Sequence, residues 1–254
     1  MKTGKKGILY NVVQVFRTVW TFAAFTSAML LVQPGTYLYF LFGRTTERKR
    51  MKFHRFLCGV SHWAVKRIPG TRFSSGNPYG ETFERPAVIV CNHQSHLDLV
   101  CIMMLSPKIV VLTNDWVWNC PFYNIIIHRA EFYPVSDGMD RNTERLRGLV
   151  ARGYSVVVFP EGTRSADCKV GRFHVGAYQL ARELGVDILP LTLYGTGKVL
   201  PKHSVILRPG HMHIEVGRRY VADAPVRELA KAGRAACIDS YKRLCNKFEH
   251  GDGG

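Results

Sequence analysis

The chain reads as an α/β protein, a mixed sheet flanked by helices, with a two-helix membrane anchor at its N-terminus. Three observations predict this. From about Ile68 onward, short apolar runs rich in β-branched residues alternate with helical patterns, as in sheets built with helices between the strands. Thr18 to Gly43 holds no charged residue, a stretch longer than the ~20 apolar residues that span a bilayer. Two of the apolar runs stop abruptly in turns dense with titratable groups, "NHQSHLD" after Cys91 and "PEGTRS" after Phe159.

A chain of 254 residues, 46% of them apolar, can bury one large core. We read residues 1–67 as membrane-associated helices and 68–250 as the main domain. The formal net charge of +16 calls for an anionic partner. No RNP-like strand, C2H2 spacing or basic-flanked GxxG of the KH type is present, so nucleic acid is set aside. An anionic membrane surface is the expected partner. The seven cysteines form no C-x-x-C pair, and several sit inside apolar runs. They read as buried, reduced thiols of a cytosolic setting.

The N-terminal run is too long for a signal peptide and lacks a clear cleavage site. A spanning helix must tolerate Gln33-Pro34-Gly35. Both flanks are basic, with Lys2, Lys5, Lys6 and Arg17 before and Arg44, Arg48, Lys49, Arg50 and Lys52 after. A spanning helix has its cations biased to one side, so the pattern favours a re-entrant hairpin turning near Pro34-Gly35 in one leaflet. A core helix of a soluble protein is the plain alternative. Next, Phe53, Phe56, Leu57, Val60, Trp63 and Ala64 recur at helical spacing among Lys52, Arg55, Lys66 and Arg67. This predicts an amphipathic helix whose cations can meet anionic headgroups.

In the main domain, strands are predicted at Ala87–Cys91, Lys108–Leu112, Ser155–Phe159, Asp187–Leu193, Ser204–Leu207 and His213–Val216. Helices are predicted at Ser95–Leu105, Asn142–Arg152, His174–Leu184 and Pro225–Phe248. Arg141-Asn142-Thr143-Glu144 reads as a helix start and Gly185 as a stop. "RPGH", Arg208 to His211, reads as a turn between two strands, and the terminal "GDGG" as disordered.

The loop at a strand's carboxyl end is where α/β folds place ligands. If the chain folds back after His93, Asp98 can accept a bond from one ring nitrogen and leave the other as a base. A purely structural histidine is the plain alternative. Ser95 offers a nucleophile, but none is needed if the substrate's own hydroxyl attacks. In the second turn, Gly162 permits close approach to a ligand. Arg164 suits a phosphate or carboxylate, unless Glu161 and Arg164 pair and only hold the turn.

"NHQSHLD" resembles the first signature, NHxxxxD, of the glycerolipid acyltransferases, a family that includes the bacterial lysophosphatidic acid acyltransferases (PlsC family). "FPEGTRS" is similar to the third signature and "ILPLTLYGTG", Ile188 to Gly197, to the fourth. The resemblance runs from Ala87 to Gly197, more loosely to Val216. It implies an O-acyltransferase on the cytoplasmic face of the inner membrane, with His93 as general base and Asp98 as its orienting partner. The donor is an acyl thioester of CoA or acyl carrier protein, the acceptor a lysolipid hydroxyl; no metal or resident cofactor is implied. Glu161, Gly162, Thr163 and Arg164 would shape the acceptor site, and Asn92 or backbone N–H groups would meet the oxyanion.

The second signature departs from the family's pattern. It ends in an arginine in the family, and Asp137 stands there in "AEFYPVSDG". In "WNCPFY", Asn119 replaces an expected lysine. Arg129 or Arg141 can substitute from neighbouring positions. Alternatively the acceptor lacks a phosphomonoester, as in a lyso-aminolipid (an N-acyl amino acid lipid), and Asp137 meets an amine. A hydrolase using Ser95 or Ser165 lacks a G-x-S-x-G elbow, and a non-enzymatic lipid binder leaves both polar turns unexplained.

Overall fold

The computed structural model describes residues 3–250; the "GDGG" tail lies outside them. Among the described residues, strands β1 (Thr71–Gly76), β2 (Ala87–Cys91), β3 (Ile109–Thr113), β4 (Tyr133–Pro134), β5 (Ser155–Val158), β6 (Asp187–Tyr194) and β7 (Gly210–Val216) form one sheet in the order β1-β7-β6-β2-β5-β3-β4. Neighbours are parallel except β6 and β7, so the sheet is mixed. Each residue of β2 is buried, as a central strand covered on both faces requires.

The long helices α1 (Thr3–Leu41) and α2 (Glu47–Arg67) come first. Then follow α3 (Leu97–Met103), α4 (Asp115–Trp118), α5 (Asn124–Arg129), α6 (Met139–Ala151), α7 (Gly176–Leu184), α8 (Thr196–Val199) and α9 (Val226–Cys245). Helices α6, α7 and α9 pack on the sheet, and α2 packs on α3. Gly185 ends α7 in the left-handed conformation, as expected of a stop.

The turn expected near Pro34-Gly35 is not formed. Helix α1 runs through Pro34, and the chain reverses instead between Leu41 and Glu47. Proline removes one backbone donor, while Thr36 Oγ1 donates to the Val32 carbonyl at 2.8 Å just below it. At the true turn, Lys49 Nζ donates to the Phe42 carbonyl at 2.6 Å. Helix α1 lies along the domain: Arg17 Nε donates to the Pro69 carbonyl at 2.9 Å. Gln33 donates to the Pro121 carbonyl, and the Phe40 ring stands edge-on to Phe53 at 5.2 Å. Its apolar residues face outward, with Phe16, Trp20 and Leu31 60–76% exposed.

Ser204–Leu207 is a loop and not a strand. Its apolar character seats α1: Leu207 is buried and its N–H donates to Thr18 Oγ1 at 2.9 Å. Arg208–His211 therefore joins a loop to β7 and does not join two strands. Helix α6 starts at Met139, three residues ahead of the expected Asn142.

Candidate active site

Strands β2 and β5 are parallel neighbours, so their carboxyl ends share one edge of the sheet. That brings the two polar turns together. Ser165 N–H donates to the His93 carbonyl at 2.7 Å. Glu161 Oε1 accepts from the His93 N–H at 2.9 Å, and its Oε2 from the Gly171 N–H at 3.0 Å. Glu161 thus holds backbone and does not pair with Arg164. Burial raises its pKa, and the two backbone donors oppose that shift.

His93 and Asp98 meet as their spacing suggested. His93 Nδ1 lies 2.8 Å from Asp98 Oδ2. The same oxygen accepts from the backbone N–H groups of Gln94 at 2.6 Å and Ser95 at 2.9 Å. Asp98 is fully buried while the His93 ring keeps 19% exposure. A carboxylate only accepts, so Nδ1 carries the proton and Nε2 presents a lone pair. The ring stacks on Phe159 with centroids 4.1 Å apart. That contact was not anticipated, although Phe159 opens the "FPEGTRS" stretch.

Asn92 has a different task from the one expected. It is buried, its Nδ2 donates to the Leu193 carbonyl at 2.9 Å and its Oδ1 accepts from the Leu193 N–H at 2.8 Å. It ties β2 to β6, which engages both of its polar side-chain atoms. Gly162 takes φ +67°, with nothing within 4 Å of where a Cβ would stand. The backbone there favours glycine, and the space above is open to a ligand. Thr163 Oγ1 accepts from Lys202 Nζ at 3.1 Å, and Arg164 Nη1 donates to the Lys202 carbonyl at 3.4 Å. His96 is near these groups: burial lowers its pKa, and Arg164 and His93 reinforce that. Its ring stands edge-on to Trp116 of α4, 5.6 Å away.

The residues around the second signature do not join this group. Asp137 forms an ion pair with Arg145, and Arg141 lies 4.0 Å from its other oxygen. The carboxylate expected to meet an amine is thus already held, and Arg141 faces it. Arg129 sits over the Phe40 ring at 5.2 Å and lines a separate cavity of about 290 Å³ with Arg50 and His128. Asn119 is exposed, its Nδ2 donating to the Asp115 carbonyl.

Neither serine of the hydrolase reading meets a histidine. Ser95 is buried and donates to the Leu200 carbonyl at 2.8 Å, and Ser165 Oγ bonds to Asp167. Ser74 does contact His211 and His213, but at the β1 edge of the sheet, beneath Phe248.

Residues 71–194 match the family model described as Acyltransferase. That stretch, just under half of the chain, is similar to the acyltransferase family. The chain is 33% identical over 166 residues to a 1-acyl-sn-glycerol-3-phosphate acyltransferase of Chlamydomonas reinhardtii, an alignment covering 62% of this chain and 49% of that protein. A chloroplastic enzyme of the same name from Arabidopsis thaliana is 32% identical, over 65% of this chain and 48% of the relative. The chain therefore spans about half the length of these relatives. The Pseudomonas aeruginosa protein of that name is 27% identical, with 82% of this chain and 81% of the relative covered. The crystal structure of the 1-acyl-sn-glycerophosphate acyltransferase PlsC of Thermotoga maritima shares the fold, at a TM-score of 0.80 and 20% identity over 92% of this chain and 97% of that one. The matched residues run from β1 to β6 and so hold both polar turns.

Proposed function

We propose that the protein is a membrane-associated O-acyltransferase. It moves a fatty acyl group from a CoA or acyl-carrier-protein thioester to the free hydroxyl of 1-acylglycerol 3-phosphate, giving phosphatidic acid. The observation that carries this reading is the buried Asp98 carboxylate on Nδ1 of a solvent-reachable His93. The names of the relatives supply the acceptor class.

The proton transfers run through this pair and the two substrates. Nε2 of His93 removes the acceptor hydroxyl's proton as the oxygen attacks the thioester carbon. A C–O bond forms, the tetrahedral oxyanion collapses, and the C–S bond breaks. The thiolate leaves and takes the proton from Nε2. No serine ester intervenes, in keeping with the commitments of Ser95 and Ser165.

The outward apolar face of α1 supports docking on a bilayer, with the cations of the α1–α2 link and α2 at headgroup level. Both donor thioesters belong to the cytosol, which favours the cytoplasmic face of the inner membrane. The test is acyl transfer by membranes containing the protein, with 1-acylglycerol 3-phosphate as acceptor. His93→Ala should lower the rate ~10²–10⁴-fold, the range for loss of a general base, and leave vesicle flotation unchanged. Undiminished transfer by that variant would refute the assignment.

A further inference from the structure

Among the described residues, two cations of this site have no carboxylate partner. Arg164 and Lys202 form no ion pair among the described residues. Lys202 lies in the loop after α8, beyond the stretch that carries the signatures. Three hydrogen bonds place it. Leu200, two residues before it, accepts from Ser95 of the His93 loop at 2.8 Å. The Lys202 carbonyl accepts from Arg164, and its ammonium donates to Thr163 Oγ1 at 3.1 Å. The other cations considered for this task face elsewhere: Arg141 lies beside Asp137 and Arg129 over the Phe40 ring.

We propose that Lys202 is the second cation of the acceptor's phosphate subsite, acting with Arg164 across Thr163. This rests on the reading above that the acceptor is a phosphomonoester. Such a group carries about −1.5 to −2 charge at neutral pH and three acceptor oxygens. A planar guanidinium takes two oxygens and a lysine, as a point charge, the third. Thr163, accepting from Lys202, keeps its own O–H free to donate to the same group. The subsite then lies between the turn after β5 and the loop after α8, and does not involve Asp137 of the second signature, which Arg145 already holds.

The test uses the full chain in lipid vesicles with acyl-CoA as donor. Two acceptors run in parallel, 1-acylglycerol 3-phosphate and the phosphate-free 1-acylglycerol. Lys202→Gln should raise KM for the phosphate acceptor about 10-fold, with kcat changed far less, since one charge-assisted bond is worth about that factor. The preference for the phosphate acceptor, as a ratio of kcat/KM values, should fall by a similar factor. Lys202→Arg should restore most of it, and inorganic phosphate should inhibit Lys202→Gln more weakly than the wild type. Thermal melts of both variants check that the fold is kept. An unchanged KM, or an equal loss on both acceptors, overturns the role of Lys202 alone. A wild type that prefers the phosphate-free acceptor overturns the acceptor assignment, and this proposal with it.

Discussion

At the scale of single residues, the acids near His93 divide the work of holding it. Asp98 Oδ2 accepts from the ring and from two backbone N–H groups of the same turn, so one atom sets both the fold of the loop and the orientation of the imidazole. Glu161 fixes the His93 backbone from the other turn and is itself braced by Gly171. An amide in its place would aim N–H at one of those two N–H donors. Glu161→Gln should therefore cost about 1–3 kcal/mol of stability and lower kcat at least severalfold, measured by chemical denaturation and by acyl transfer. Gly171→Ala should act in the same direction, because its Cβ would stand 2.6 Å from Glu161 Oε2. Wild-type kcat in both variants would show that the His93 backbone needs no such brace. The His93–Asp98 pairing was legible in the sequence, because five residues allow a turn to fold back on itself. The tasks of Asn92 and Glu161 were not. Their partners, Leu193 and Gly171, are distant or uninformative in type, and a polar side chain that grips backbone leaves no pattern in composition.

Among the elements, those with a buried run and a defined end were legible. Strand β2 matched its expected bounds, and β5 and β6 did so to within a residue, since apolar runs closed by polar turns leave little freedom. Strand β1 was missed because an edge strand reading "TRFSSG" is only half-covered and need not be apolar. The Ser204–Leu207 error has the opposite cause, apolar residues that cover a helix from a loop. Helix α2 carries its own signature of burial. His54 lies within it at 3% exposure, its ring 5.1 Å from that of Tyr154. Burial lowers its pKa to about 4, opposed by Glu47 and reinforced by Arg152 and Arg50. The unfolded chain binds that proton near pH 6.5 and the folded chain only near 4, so stability falls as pH drops through this window. The loss approaches ~3 kcal/mol at its acid end. Replacing His54 with Phe should remove that part of the acid sensitivity, seen as a smaller fall in melting temperature between about pH 7 and 4.5. Equal falls in the two proteins would place the sensitivity elsewhere, His213 being the next group whose burial has the same sign.

For the whole molecule, the proposed membrane association turns on how the sheet edge bearing His93 would meet the lipid. The apolar stretch from Tyr10 to Leu41 covers 32 residues, about 48 Å of helix, against a hydrocarbon core of about 30 Å. It is fastened at Arg17, Thr18, Gln33 and Phe40, that is, along most of that length. A rod fastened to the domain at both ends cannot cross a bilayer without carrying the domain in with it. In the proposed arrangement, lying in one leaflet, the same helix would turn its apolar side to the acyl chains and its polar side, with Gln14, Arg17 and Thr18, to the protein. Tryptophan fluorescence quenched by lipids brominated at known depths distinguishes the two arrangements. The signal of Trp20, taken as the difference from a Trp20→Phe variant, should report nearly the same depth as a tryptophan placed at Leu31 in that variant. A helix upright in the membrane would separate the two positions by about 16 Å, and a result near that figure would mean that the contacts with Pro69 and Pro121 open when the protein meets its membrane.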